Sequence, residues 1–272
     1  MSKTGWPMAL CVCAAFTGAA GADELNDYAK KSSCLISANN VFKLSVAVQG
    51  TLSKVGVKRA DIVKKGQIVA ELESAVEQAQ LEAAVARANT DTGIRLKTAI
   101  YTAAQAKLGR QQKLIAVKAS TDQNFEEAQA QAAVAKAEVE QAVIERQLAQ
   151  LEVKRLQATL ERRILRSPAD GVVTDVNLHA GEYADPTNPV ASITEIEPLK
   201  VELFLPANAY PLVAAGMKAS IVPQEPIGGV REAEVIAKDP QIDAASGLFL
   251  LQLRLPNPDR KIPAGVRCSV RF

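Results

Sequence analysis

Aromatic side chains make up only 4% of these 272 residues, few for an enzyme core and in keeping with an alanine-rich helical protein. Histidine occurs once, as His179, and methionine once beyond the first 22 residues, as Met217. A zinc site or a Ser-His-Asp relay needs convergent partners that a lone histidine in a turn lacks. A thioether site for a soft metal needs more sulfur than one methionine supplies. No phosphate-cradling glycine loop occurs. An excess of one charge is missing too: 32 Lys+Arg against 30 Asp+Glu leave a net +2, without the clustered basic surplus that nucleic acid demands. The chain therefore reads as non-enzymatic, with no cofactor, no metal and no nucleic-acid partner.

Long hydrophobic runs are also scarce. The one at the N-terminus, Met8 to Phe16, follows Lys3 and precedes the small residues Ala20 to Ala22. That order is a secretory signal peptide over residues 1–22, with cleavage expected after Ala22. A membrane-spanning helix needs about 20 apolar residues, more than this run holds. Leu10 and Val12 precede Cys11 and Cys13, so neither cysteine has the small neighbour that lipid attachment requires. Cleavage leaves Cys34 and Cys268. In an oxidising compartment an even pair is compatible with a bridge stapling the two ends of the chain, or with two separate half-buried thiols.

Between Glu73 and Leu160 proline is absent and Ala, Gln, Glu, Lys, Arg and Leu dominate, all good helix formers. Two interleaved heptad series run through the second half. One is Phe125, Ala132, Val139, Arg146, Val153 and Leu160; the other is Ala128, Ala135, Ala142, Ala149 and Leu156. Apolar residues every 3.5 positions draw a narrow seam along one helix face, which only Arg146 breaks. A looser stripe of Leu81, Val85, Ala88, Thr92, Leu96, Ala99, Ala103 and Ala106 marks the first half, and Ser120, Thr121 and Asp122 favour a cap or turn between them. Two antiparallel helices over 73–162 are expected, each arm about 57 Å long.

The segment Gly50–Leu72 aligns without a gap on Gly171–Ile193 at an offset of 121 residues, matching Gly50 to Gly171, Asp61 to Glu182 and Leu72 to Ile193. Each copy offers about two short strands, too little to be stable alone. The two copies are expected to pack into one small sandwich from which the helical insertion projects. After Pro198, short alternating runs separated by Pro, Gly, Asn and Asp suggest a small β-barrel over 198–272, and the segment Ser33–Val48 before Gly50 offers one further strand.

Three stretches, VKKGQIVAELESAVEQAQLEAA (Val63–Ala84), RSPADGVV (Arg166–Val173) and LPNPDRKIPAGVRCSVRF (Leu255–Phe272), resemble the periplasmic adaptor, or membrane fusion protein, family of tripartite efflux and secretion systems (HlyD-like). The resemblance covers essentially the whole chain after residue 22. It implies an α+β fold: a split lipoyl-like sandwich (34–72 and 163–197), interrupted by a coiled-coil α-hairpin and followed by the barrel. The family's hairpin tip carries an arginine, a leucine four residues on and a serine seven after that, implicated in docking the outer-membrane channel. Arg110, Leu114 and Thr121 hold that spacing here, with threonine in place of serine and Ser120 beside it. By resemblance the partners are an inner-membrane transporter of RND or ABC type, a TolC-type outer-membrane channel and further copies of this chain, and the location is the periplasm. The barrel should close near Phe272, leaving little for the membrane-proximal domain of pump-coupled members. The alternatives are an exported scaffold on the same fold, or a lipoyl- or biotinyl-type carrier, although the hairpin occupies the place of the carrier's lysine.

Overall fold

The computed structural model describes residues 19–272, with side chains from Asp23 onward. The signal peptide expected over 1–22 lies outside the described residues, apart from Ala19–Ala22 in the first turn of helix α1 (Ala19–Lys31). Four strands follow: β1 (Cys34–Leu44), β2 (Gly50–Val55), β3 (Ile62–Val63) and β4 (Ile68–Leu72). Helices α2 (Ala75–Asn89), α3 (Thr92–Ala116) and α4 (Asp122–Glu161) then lead into β5 (Ile164–Arg166), β6 (Gly171–Val176), β7 (Tyr183–Ala184) and β8 (Ala191–Pro206). A 3-10 turn (Ala207–Leu212) precedes β9 (Lys218–Pro223), β10 (Arg231–Lys238), β11 (Leu248–Leu255) and β12 (Val266–Arg271). The fold is α+β.

The two repeated segments interlock by exchanging short strands. Gly50 of β2 pairs with Ala184 of β7, and its counterpart Gly171 of β6 pairs with Val63 of β3. Each copy thus completes the sheet of the other, because neither can satisfy its own edge or bury its own apolar face. In β4, Val69 and Ala70 point to opposite faces, as a strand requires. Val69 joins a cluster with Val57, Val63, Val173 and Ile193, while Ala70 joins one with Leu52, Leu72, Ala184 and Val190.

Strands β1 and β8 run through both β units. Their lower halves pair from Leu44↔Ala191 to Asn40↔Glu195, and after an irregularity at Asn39 their upper halves pair from Ala38↔Leu199 to Cys34↔Leu203. The boundary expected between 197 and 198 therefore falls inside one continuous strand. Above it the order β1-β12-β9-β10-β11-β8 returns to β1 and closes a six-stranded barrel. Alternation in β11 sends Phe249, Leu251, Leu253 and Leu255 inward, where they meet Ile36, Val201, Leu203 and Ile221. Helix α1 packs on this barrel through Leu25 and Ala29, both buried in its core. Asn26 fixes it further: its amide donates to the Phe272 carbonyl (3.1 Å) and accepts from the Phe272 N–H (2.7 Å).

All members of both α4 heptad series are buried or half-buried. Partners on the opposite helices descend as α4 ascends: Lys107 reaches Gln131 (2.9 Å), Lys97 reaches Glu138 (3.1 Å), and Arg146 reaches the Ala88 carbonyl (3.4 Å). The arms are antiparallel, but the first is not one helix. It breaks at Thr90–Asp91, and the inward face changes phase there. Leu81, Val85 and Ala88 face α4 as the stripe expects, whereas Leu96, Ala99, Ala103 and Ala106 are exposed. Half-buried residues of α3 include the series Ile94, Lys97, Tyr101, Ala104, Leu108, Gln111 and Ile115, a heptad displaced by about two positions that carries too many polar members to stand out by hydrophobicity alone.

Candidate functional site

The hairpin ends in a five-residue turn, and its geometry follows from ordinary capping chemistry. At the end of α3 the Ala119 N–H bonds to the Leu114 carbonyl (2.8 Å) and the Lys118 N–H to the Ile115 carbonyl (2.9 Å), a Schellman termination. That motif puts its central residue in the left-handed region, and Lys118 sits there at φ 57° without the glycine that usually relieves about 1 kcal/mol of strain. Thr121 opens α4: its hydroxyl accepts from the Asn124 N–H (3.4 Å), and Asp122 in the first turn faces the positive end of the helix dipole.

The four tip residues come together here with different duties. Ser120 donates its hydroxyl to the Gln111 side-chain oxygen across the turn (2.7 Å), so Ser120 and Thr121 hold the turn in shape. Leu114 is 40% exposed and Val117 70% exposed, leaving an apolar knob outermost on the rod. Arg110 is exposed and lines a groove of about 640 Å³ on one flank, with Ile100, Ala103, Glu127 and Val134. Val117, Lys118 and Gln111 were not singled out from sequence; the left-handed Lys118 in particular lacks the glycine that announces such a turn.

At the other end of the rod, Arg163 seats the hairpin on the strand-exchanged sheets. It forms an ion pair with Glu77 of α2 and donates to the Gln49 carbonyl (3.3 Å). Both side chains are largely shielded, at 23% and 16% exposure. Glu77 is held below the ordinary carboxylate range, first by its own backbone N–H and then by Arg163, against an opposing push from burial. A depressed pKa contributes stability above the unfolded value near 4.5 that is lost as pH falls through the folded one. Arg163→Ala should therefore cost the hairpin about 1–3 kcal/mol at pH 7. The melting difference between wild type and Glu77→Gln, followed by helical circular dichroism, should shrink towards zero as pH drops below 4; a constant difference would mean that the pair does not fasten the base.

Cys34 and Cys268 lie across the β1–β12 seam, Cα atoms 5.0 Å apart, joined as a disulfide. His179 sits exposed in a turn, 3.9 Å from Glu182. The Met217 sulfur accepts from the Ala214 N–H (3.1 Å). Among the described residues no group of three or more His, Cys, Asp or Glu is placed to hold a metal, and no helix is long and apolar enough to cross a membrane.

No family model matches the chain. An "Uncharacterized protein" of Haemophilus influenzae is 26% identical over 239 residues, covering 88% of this chain and 56% of the relative, so the chain spans a little over half of that relative's length. MacA from Actinobacillus actinomycetemcomitans superposes with a TM-score of 0.73 at 20% identity, over 88% of this chain and 76% of its own. The membrane fusion protein Spr0693 from Streptococcus pneumoniae R6 superposes at 0.53 and 14% identity, over 88% and 96%. This chain has the fold of the periplasmic adaptor, or membrane fusion, proteins.

Proposed function

We propose that this chain is an exported, non-enzymatic adaptor that links an inner-membrane transporter, of RND or ABC type, to a TolC-type outer-membrane channel for efflux or secretion. The observation that carries the reading is the rod itself. A two-arm helical hairpin, with α4 about 60 Å long, leaves a strand-exchanged sandwich at its base and ends in an exposed knob of Leu114 and Val117 beside Arg110. In this reading the sandwich is the split lipoyl-like unit, the heptad seam of α4 makes the hairpin a coiled coil, and the tip selects the channel. A second apolar line along α4, Val134, Ile144, Leu148 and Leu151, is 55–61% exposed and supports side-by-side packing of copies. The disulfide supports an oxidising compartment such as the periplasm.

A photo-crosslinking residue at position 114 or 117, in cells carrying the cognate transporter, tests the tip. The expected adduct contains an outer-membrane channel; Arg110→Asp should remove it and lower export at least ten-fold with helical circular dichroism unchanged. Normal export by Arg110→Asp would remove the tip from the proposal. Capture of neither channel nor transporter would favour an exported scaffold on the same fold.

A further inference from the structure

The break in the first arm coincides with the one polar interruption in the α4 heptad series. Helix α2 stops at Asn89 with Thr90 in an extended conformation (φ −78°, ψ 120°), and no backbone hydrogen bond runs from α3 back into α2. Its last carbonyls find other donors. The Thr90 hydroxyl takes Ala86 (2.9 Å), the Thr90 N–H takes Arg87 (3.2 Å), and Arg146 crosses from α4 to donate to Ala88 (3.4 Å). On the far side α3 starts afresh from Asp91, whose carboxylate pairs with Arg95 (3.2 Å). One strut is thus continuous over 40 residues while the other consists of two rigid pieces of 15 and 25.

We propose that Thr90–Asp91 is a joint in the hairpin and that Arg146 is its lock. An unbroken helix bends gently along its length, whereas sharp changes of direction occur where the i→i+4 ladder is interrupted. With the guanidinium on the Ala88 carbonyl, the end of α2 is tied to α4 and the outer segment is held in register. Released, the outer segment swings about the joint with α4 as the flexing spine. The outer piece is about 37 Å long, so each 10° of swing carries the tip about 6 Å sideways while the Arg163–Glu77 base stays seated. The lock also accounts for a charged residue in an otherwise apolar seam: a leucine there would bury more surface but leave the Ala88 carbonyl without this donor.

What the swing serves rests on the adaptor reading; the joint itself does not, and is measurable in the isolated protein. Spin labels carried on a keto amino acid at positions 82 and 112 report the distance across the joint, and labels at 106 and 129 report the outer segment alone. Pulsed electron resonance should show a narrow distribution for the first pair in the wild type. In Arg146→Ala it should become at least two-fold wider, with the second pair and the helical circular dichroism unchanged. Deleting Thr90 and Asp91 brings Ile94 into phase with Ala88, fusing α2 and α3, and should restore the narrow distribution even with alanine at 146. A wild-type width in Arg146→Ala would overturn the lock. Equal broadening of both pairs, or loss of helicity, would show general loosening rather than a joint, and a broad distribution in the deletion variant would exclude Thr90–Asp91 as the pivot.

Discussion

Gly171→Ala should lower the melting temperature by about 5–12 °C, the equivalent of about 2–4 kcal/mol in a chain of this size. A methyl group built at Gly171 lies 2.6 Å from the Thr194 carbonyl oxygen and 2.8 Å from the Ile193 side chain. The first obstacle is backbone, in a strand bonded to β1 on one side and β6 on the other, so it cannot step aside without opening both ladders. Its repeat counterpart behaves differently. A methyl at Gly50 meets the Arg163 guanidinium at 2.9 Å, the far end of a flexible side chain, and Gly50→Ala should cost about 1 kcal/mol or less. Gly56 is the internal control: its nearest obstacles stand 3.7 Å away, and alanine there should be nearly silent. Thermal denaturation of the three variants decides the matter. Equal losses at Gly50 and Gly171 would mean that the strand exchange between the two copies is symmetric in packing as well as in pairing.

That asymmetry marks the limit of what the sequence could disclose. The gapless match of Gly50–Leu72 to Gly171–Ile193 showed two copies of one unit, because alternating apolar residues and repeated glycines are visible in the letters. It could not show that each copy lends a strand to the other, since a two-residue strand such as Ile62–Val63 has no periodicity to read. The α4 seam was legible because alanine, valine and leucine recur at heptad spacing with Arg146 as the one polar member. The α3 seam was not, because Lys97 and Gln111 occupy seam positions and make hydrogen bonds that pattern reading counts as solvent contacts. Helix α1 escaped notice for a third reason: among its described side chains Leu25, Tyr28 and Ala29 mark the apolar face, and so short a helix is formed by the surface that receives it. Of the tip, the cap at Thr121 could be read from residue type, but a left-handed lysine at 118 could not.

The other large effect is expected at the barrel seam. Strands β1 and β12 share two register pairs, Leu35↔Arg267 and Ile36↔Val266, whereas β11 and β8 pair continuously from Leu248↔Pro206 to Leu255↔Leu199. The Cys34–Cys268 bridge extends that short seam by one step, and it closes a sequence separation of 234 residues. Cross-linking so long a loop removes much of the freedom of the unfolded chain, worth about 3–5 kcal/mol in the chain-entropy account. Cys268→Ser should therefore lower the melting temperature of the barrel by roughly 6–20 °C. The loss should be local at first: amide hydrogen exchange should quicken in β12 and in α1, whose Asn26 grips Phe272 just beyond the seam, while β10, β11 and the hairpin keep their protection. Reduction of the wild type with dithiothreitol should reproduce the same pattern. Unchanged protection in β12 after reduction would show that the apolar core of Phe249, Leu251 and Leu253, rather than the bridge, keeps the barrel closed.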